Sequence, residues 1–208
     1  ELPGQGDTLR YAGPKKNGIG LWWKVSGRNK KNITLDLRVP KGQEICKKLV
    51  SKCDALIENF RPGTLEKWNL GWEDLKKVAP KLIMLRISGY GQTGPYSPRP
   101  GFGRAAEAMS GVMQITGYPG QKPLSPGFSL GDTVSGLTGA FALMMGLYNR
   151  DGLRRNTGQV IDIALFESLY RLIEWQTILF DQLEIVPERN GVKMGFPGST
   201  SLINNYLT

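Results

Sequence analysis

Ile33-Thr34-Leu35-Asp36-Leu37-Arg38 and Asp54-Ala55-Leu56-Ile57-Glu58-Asn59-Phe60-Arg61-Pro62-Gly63 decide how this chain is read. Each is a short β-prone run that stops at polar or turn residues. Between them Pro40 suits the first position of a helix, and Ile45, Leu49 and Cys53 recur at four-residue spacing to give one apolar face. Strand, helix, strand makes a βαβ unit, and ligands of such units lie outside the carboxyl ends of the strands. Arg38, Asn59 and Arg61 fall there, which suits an anionic nucleotide and points to an enzyme using a large phosphorylated cofactor.

The pattern continues downstream. Thr64 can cap a short helix whose Leu65 and Trp68 look inward, Gly71 breaks it, and Glu73 to Val78 form another helix before Pro80. Leu82-Ile83-Met84-Leu85-Arg86-Ile87 is almost wholly apolar, as expected of a strand buried on both faces of a parallel sheet. A loop, Ser88-Gly89-Tyr90-Gly91-Gln92-Thr93-Gly94-Pro95, follows where such a strand delivers functional residues. The periodicity predicts helix over Arg104 to Ile115, a Pro/Gly-rich loop over Gly117 to Gly127, and a long helix from Gly131 to Asn149. That helix is apolar on nearly every side, so burial is expected. Val160 to Ala164 read as a strand, Glu167 to Leu183 as a helix, and residues 1–31 as a basic, Gly-rich loop. The fold class is α/β, a Rossmann-like open parallel sheet with flanking helices.

The chain has 208 residues, 40% hydrophobic and 22% charged, which suits one globular α/β domain or part of a larger one. No apolar run is read as approaching the roughly 18 to 20 residues that span a bilayer, and the opening residues carry no signal-peptide pattern. Cys46 and Cys53, seven apart in a predicted helix, stand roughly 10 Å apart along its axis, too far for a disulfide. With no His and only two thiols there is little from which to build a structural zinc site. A reducing cytoplasm is the expected setting. The net charge of +9 admits nucleic acid as a partner, since Lys15-Lys16, Trp22-Trp23-Lys24 and Arg28-Asn29-Lys30-Lys31 interleave bases with aromatics. No nucleic-acid motif follows that cluster, so a basic surface that draws in small polyanionic substrates is the preferred reading.

Asp132 is the strongest catalytic candidate. It follows Gly131 at the start of an apolar helix, where the helix N-terminus favours an anion. A carboxylate held there can attack an activated acyl group. The plainer alternative is that it caps its own helix.

The order of motifs bears on that choice. Asn29 to Leu37, Ile57 to Gly63, Ile87 to Tyr96, Gly131-Asp132 and Thr157-Gly158-Gln159-Val160-Ile161-Asp162 resemble, in uninterrupted order over nearly the whole chain, the family III CoA-transferases. The family includes formyl-CoA, crotonobetainyl-CoA/carnitine and succinyl-CoA:glutarate transferases. The resemblance implies a CoA-binding domain over residues 1–185, part of a larger family III fold, and a linker toward a second domain beginning at 186–208. It implies that the family's first strand and helix, and its later glycine-rich loop over the active site, lie outside this stretch. It also implies that a CoA contact made by an Arg in some relatives is missing at Leu2.

By the same resemblance Asp132 matches the catalytic aspartate. Leu35, Asp36, Leu37 and Arg38 match a segment lining the CoA nucleotide, while Asn59, Phe60 and Arg61 match the contact at the strand end. Lys67 falls where the family places a basic CoA contact, with a solvated helix charge as the alternative. Gly101, Phe102, Gly103 and Arg104 fall in the loop approaching the cofactor, across a one-residue gap. The implied reaction moves CoA from an acyl-CoA to a small carboxylic acid through an aspartyl anhydride and an aspartyl-CoA thioester. It calls for no metal, membrane or nucleic acid, and relatives form interlocked homodimers. Two alternatives stand beside it. An α-methylacyl-CoA racemase would carry His in a Gly-His-Asp run where this chain has Gly101-Phe102-Gly103. A CoA-binding chain without catalysis is the other.

Overall fold

In a computed structural model, which describes residues 1–191 and 193, a 3-10 turn at Thr8–Arg10 leads into a small hairpin. Lys15–Lys16 (β1) pairs antiparallel with Ile19–Gly20 (β2). Asn17 and Gly18 both take positive φ, 52° and 76°, as a two-residue type I′ turn requires. Leu21–Ser26 (α1) follows directly. The expectation of structureless loop over residues 1–31 is thereby corrected.

Ile33 to Arg38 is not a strand. Among the described residues its backbone pairs only with that of Glu1, whose amino group donates to the Ile33 carbonyl at 2.8 Å and whose carbonyl accepts from the Leu35 amide at 2.8 Å. One residue of pairing makes no ladder, and the sheet lies elsewhere. Pro40–Val50 (α2) begins as expected with Pro in its first turn. Its inward face differs from the one read in the sequence. Gly42 and Val50 are buried and Cys46 packs against the core, whereas Ile45, Leu49 and Cys53 are exposed. Gly42 is the reason: a Cβ there would lie 1.8 Å from the Asp36 carbonyl oxygen, so α2 lies directly against the segment before it.

Ala55–Glu58 (β3), Thr64–Lys67 (α3), Trp72–Val78 (α4) and Ile83–Ser88 (β4) come next. Gly63, in the left-handed region at φ 81°, is the N-cap of α3 in place of Thr64. Gly103–Met109 (α5) and Val112–Ile115 (α6) replace the single helix expected over 104–115, because Gly111 turns the chain at φ 90°. Leu130–Leu147 (α7) runs into a π turn at Tyr148–Gly152. Gln159–Ala164 (β5), Leu165–Ile173 (α8) and Trp175–Leu183 (α9) complete the described elements, the last two separated at Glu174 where one helix was expected. The stretch read as a linker, 186–208, lies for most of its length outside the described residues.

The three strands form a parallel sheet ordered β3-β4-β5, with Ala55 opposite Ile83 and Ile83 opposite Gln159. This is the expected α/β architecture of parallel strands and flanking helices. Met84 points into one core with Val50, Leu65, Leu70, Leu75 and Leu82. The other face receives α7, and α8 packs with α5 in a second core around Ala106 and Leu169.

Helix α7 corrects a further expectation. Its buried positions are small, Gly131, Ser135, Gly139 and Gly146, while Leu137 and Phe141 are each 69% exposed. A Cβ on Gly139 would stand 3.0 Å from Leu85, and one on Gly146 3.0 Å from Ile83. The helix comes close to the sheet through a glycine face, so its large side chains point away. With its π turn, Leu130–Gly152 is also long and apolar enough by composition to cross a membrane, contrary to the reading that no run reaches that length.

Candidate active site

Asp132 stands in the first turn of α7. A Cβ on Gly131 would lie 2.9 Å from the Gly103 carbonyl oxygen, and a Cβ on Gly103 would lie 2.9 Å from Oδ2 of Asp132. Two facing glycines thus bring the starts of α5 and α7 together and lay the carboxylate over the Gly103 backbone. The carboxylate caps nothing: the N-cap is Ser129, and Asp132 makes no hydrogen bond or ion pair among the described residues.

Two clefts meet at this side chain. The larger, of about 780 Å³, lies between α1 and the starts of α5 and α7, with Trp22, Arg104, Glu107, Phe128, Ser129 and Thr133 in its walls. The second, of about 390 Å³, opens at the carboxyl ends of β3 and β4 and is lined by Glu58, Asn59, Ser88, Gly89, Gly101 and Leu165, among others. Phe102, 74% exposed, and Asp132 belong to both and form the wall between them. The floor of the second cleft is tight, since a Cβ on Gly89 would come 2.4 Å from the Cα of Gly101. The buried Oγ of Ser88 has no partner among the described residues, as expected where a bound polar group would complete it.

Crowding by surrounding protein atoms raises the Asp132 carboxyl above its usual range, and the negative charge of Glu107 adds to the rise. Protein atoms take water from part of the carboxylate while the rest of the side chain stays open to the two clefts. Glu107 is 1% exposed. It accepts hydrogen bonds from the Ser125 hydroxyl and, at 3.4 Å, from the Gly131 amide.

A third cleft, of about 290 Å³, is lined by Leu35, Asp36, Leu37 and Arg38 together with Phe60 and Trp68. Phe60 meets Trp68 edge-on, ring centroids 5.2 Å apart. Arg38 donates to Asp36 from Nε at 2.8 Å and Nη2 at 2.7 Å, holding that carboxyl down at about 2. The turn that separates Asn59 from Phe60 is set from below. Arg86 donates to Glu58 at 2.6 Å and to Glu66 at 2.7 Å, and the other Glu58 oxygen accepts from the Phe60 amide at 2.7 Å. Asn59 is thereby directed to the second cleft and Phe60 to the third.

The structure therefore gathers most of the residues singled out in the sequence. Asp132, Phe102, Gly103 and Arg104 share the first cleft, Asn59 and Gly101 the second, and Leu35 to Arg38 with Phe60 the third. Arg61 and Lys67 are exposed and line none of the three. Sequence reasoning did not single out Trp22, Glu58 or Glu107 for this site, and reached Ser88 only as the first residue of the loop after the third strand. Asn17-Gly18 was the available signal for the hairpin that delivers Trp22, and a lone acid inside Ala105-Ala106-Glu107-Ala108 was the signal for Glu107. Among the described residues no three His, Cys, Asp or Glu side chains converge as a metal would need.

Residues 1–206 match the family described as CoA-transferase family III. The chain is 45% identical over 192 residues to a succinyl-CoA–D-citramalate CoA-transferase of Chloroflexus aurantiacus, covering 92% of this chain and 47% of that protein. It is 42% identical over 169 residues to the succinyl-CoA:glutarate CoA-transferase of Mus musculus, covering 81% of this chain and 38% of that one. A crystal structure of a CAIB/BAIF family protein from Brucella suis superposes with a TM-score of 0.85 at 35% identity, over 92% of this chain and 51% of the other. The chain spans about half the length of the relatives it matches.

Proposed function

The chain belongs to CoA-transferase family III, and from that premise we propose that it moves coenzyme A from an acyl-CoA thioester to a free carboxylic acid, with Asp132 as the nucleophile. The observation that carries this reading is a carboxylate at a helix N-terminus, with no hydrogen-bond or ion-pair partner among the described residues, in the wall shared by two clefts. One cleft can take the thioester arm while the other takes the acid. Relatives named for succinyl-CoA with D-citramalate or glutarate favour short dicarboxylic acids as donor and acceptor.

The steps balance without an outside reactant. An Asp132 carboxylate oxygen attacks the thioester carbonyl, the carbon–sulfur bond breaks, and an aspartyl anhydride forms as CoA thiolate leaves. The thiolate attacks the aspartyl carbonyl, giving an aspartyl-CoA thioester and releasing the donor acid. The acceptor carboxylate then attacks that thioester, and the thiolate returns to the acyl carbonyl of the second anhydride, which frees the new acyl-CoA and restores Asp132. Each addition places negative charge on an oxygen, and the backbone amides of Gly89 and of Gly127 to Ser129, which line the two clefts, are the donors offered to it.

In the same reading Leu35 to Arg38 and Phe60 receive the nucleotide end of CoA. Asn59 and the Gly101-Phe102-Gly103 loop guide its arm, and Arg61 and Lys67 act as exposed cations on the approach. A homodimer and a cytoplasmic setting complete it, supported by the exposed apolar side of α7 and by two free thiols at Cys46 and Cys53. The test is to incubate the protein with acyl-CoA, add hydroxylamine or borohydride, and look for modification of Asp132 by mass spectrometry. Modified Asp132 supports transfer. Solvent deuterium at the α-carbon without an adduct would mean racemisation, and CoA binding with neither would mean a binding role.

A further inference from the structure

We propose that Glu107 is a positioning residue for Asp132, bracing the loop and first turn that carry it and setting a second negative charge behind it. The inference rests on Asp132 being the nucleophile. Gly103 and Glu107 are four residues apart on α5 and so share one face. That face meets the first turn of α7: Gly103 touches the Asp132 carboxylate, and Glu107 accepts from the Gly131 amide at 3.4 Å, one of the donors a helix start leaves without an internal partner. Its other oxygen takes the Ser125 hydroxyl. One buried side chain thus joins the Pro/Gly-rich loop to the turn that holds Asp132.

The charge is the informative part. Glu107 is 1% exposed and has no cation partner among the described residues, an expensive arrangement for a carboxylate. A neutral amide of the same size could accept the same two hydrogen bonds at lower cost. The charged residues lining the two clefts at Asp132 are Arg104 and Glu107 from α5 and Glu58 from β3. Glu58 is paired with Arg86 at 2.6 Å, which leaves Glu107 as the acid there with no cation partner among the described residues. A second negative charge lining the same cleft makes Asp132 more basic and more nucleophilic. Acylation of Asp132 removes its charge and with it the repulsion, so the pairing favours the covalent intermediate over the resting carboxylate.

The experiment compares the protein with its Glu107→Gln variant by carboxyl ¹³C NMR titration of Asp132, alongside hydroxylamine trapping with acyl-CoA. The Asp132 midpoint is expected to move to lower pH in the variant, and trapping at Asp132 to slow several-fold at neutral pH. An unmoved midpoint would overturn the inference, as would a loss of trapping by the same factor at every pH, which is what a purely structural role produces. Absence of any Asp132 adduct in the unmodified protein would instead reject the nucleophile assignment, and the titration reads the charge coupling independently. If Glu107→Gln does not fold, Ser125→Ala removes one brace from a loop. Trapping several-fold slower at an unchanged melting temperature supports the bracing role, and an unchanged rate rejects it.

Discussion

The backbone of Gly103 and the carboxylate of Asp132 occupy adjacent space with no room for a methyl group: a Cβ on Gly103 would stand 2.9 Å from Oδ2 and 3.2 Å from Cγ. The carboxylate is the end of a side chain and can swing aside, so Gly103→Ala is expected to cost less than about 1 kcal/mol of stability. Displacing a reacting group by about 1 Å costs on the order of 100-fold in rate. We therefore expect kcat/KM to fall about 100-fold while the melting temperature barely moves, as steady-state kinetics and thermal unfolding will report.

Asp132 itself should be a burden on the fold. Its carboxyl is raised by crowding and by Glu107, so ionising it costs stability. A group raised in the folded state contributes fully below its unfolded pKa and loses that contribution as pH climbs through the folded value. Asp132→Asn is thus expected to unfold at a higher temperature than the unmodified protein at neutral pH, with the difference closing in acid. Melting curves across pH check this, and transfer activity should be abolished with CoA binding retained.

Arg86 offers the opposite case. It is buried between Glu58 and Glu66, at 2.6 and 2.7 Å, and Glu58 is itself buried. Arg86→Met leaves Glu58 charged and unpaired, at an expected cost of about 3–5 kcal/mol. Replacing Glu58 by Gln in the same chain should recover part of that loss. Denaturant unfolding of the single and double variants measures both.

Gly42 faces backbone rather than a side chain. A Cβ there would fall 1.8 Å from the Asp36 carbonyl oxygen, so helix or segment must move. Gly42→Ala is expected to destabilise by about 1–3 kcal/mol. It should also weaken CoA binding, because Leu35 to Arg38 line the cleft read as the nucleotide site. Calorimetric titration with CoA tests the second part.

Part of the candidate site was legible in the chain. Asp132, Asn59, Phe60 and Leu35 to Arg38 all reach clefts, because motif order survives whatever the local conformation does. The strand assigned to Ile33–Arg38 was not, since a β-prone run becomes a strand only when a neighbour supplies a ladder, and among the described residues only the Glu1 backbone pairs with it. Helix α7 shows the same limit. Its composition is apolar throughout, but glycine lets a helix approach a sheet more closely than leucine does, so the inward face is the one with least side chain.

The chain alone determined the parallel αβ order, the family it resembles, and Asp132 as the acid to watch, because periodicity, turn chemistry and motif order are properties of the chain. Only the tertiary structure decided that Asp132 caps nothing among the described residues, that Trp22 and Glu107 share its cleft, and that Arg86 holds the turn between Asn59 and Phe60. Those facts depend on which side chains from distant segments come within a few ångströms, and a linear pattern carries no information about such distances.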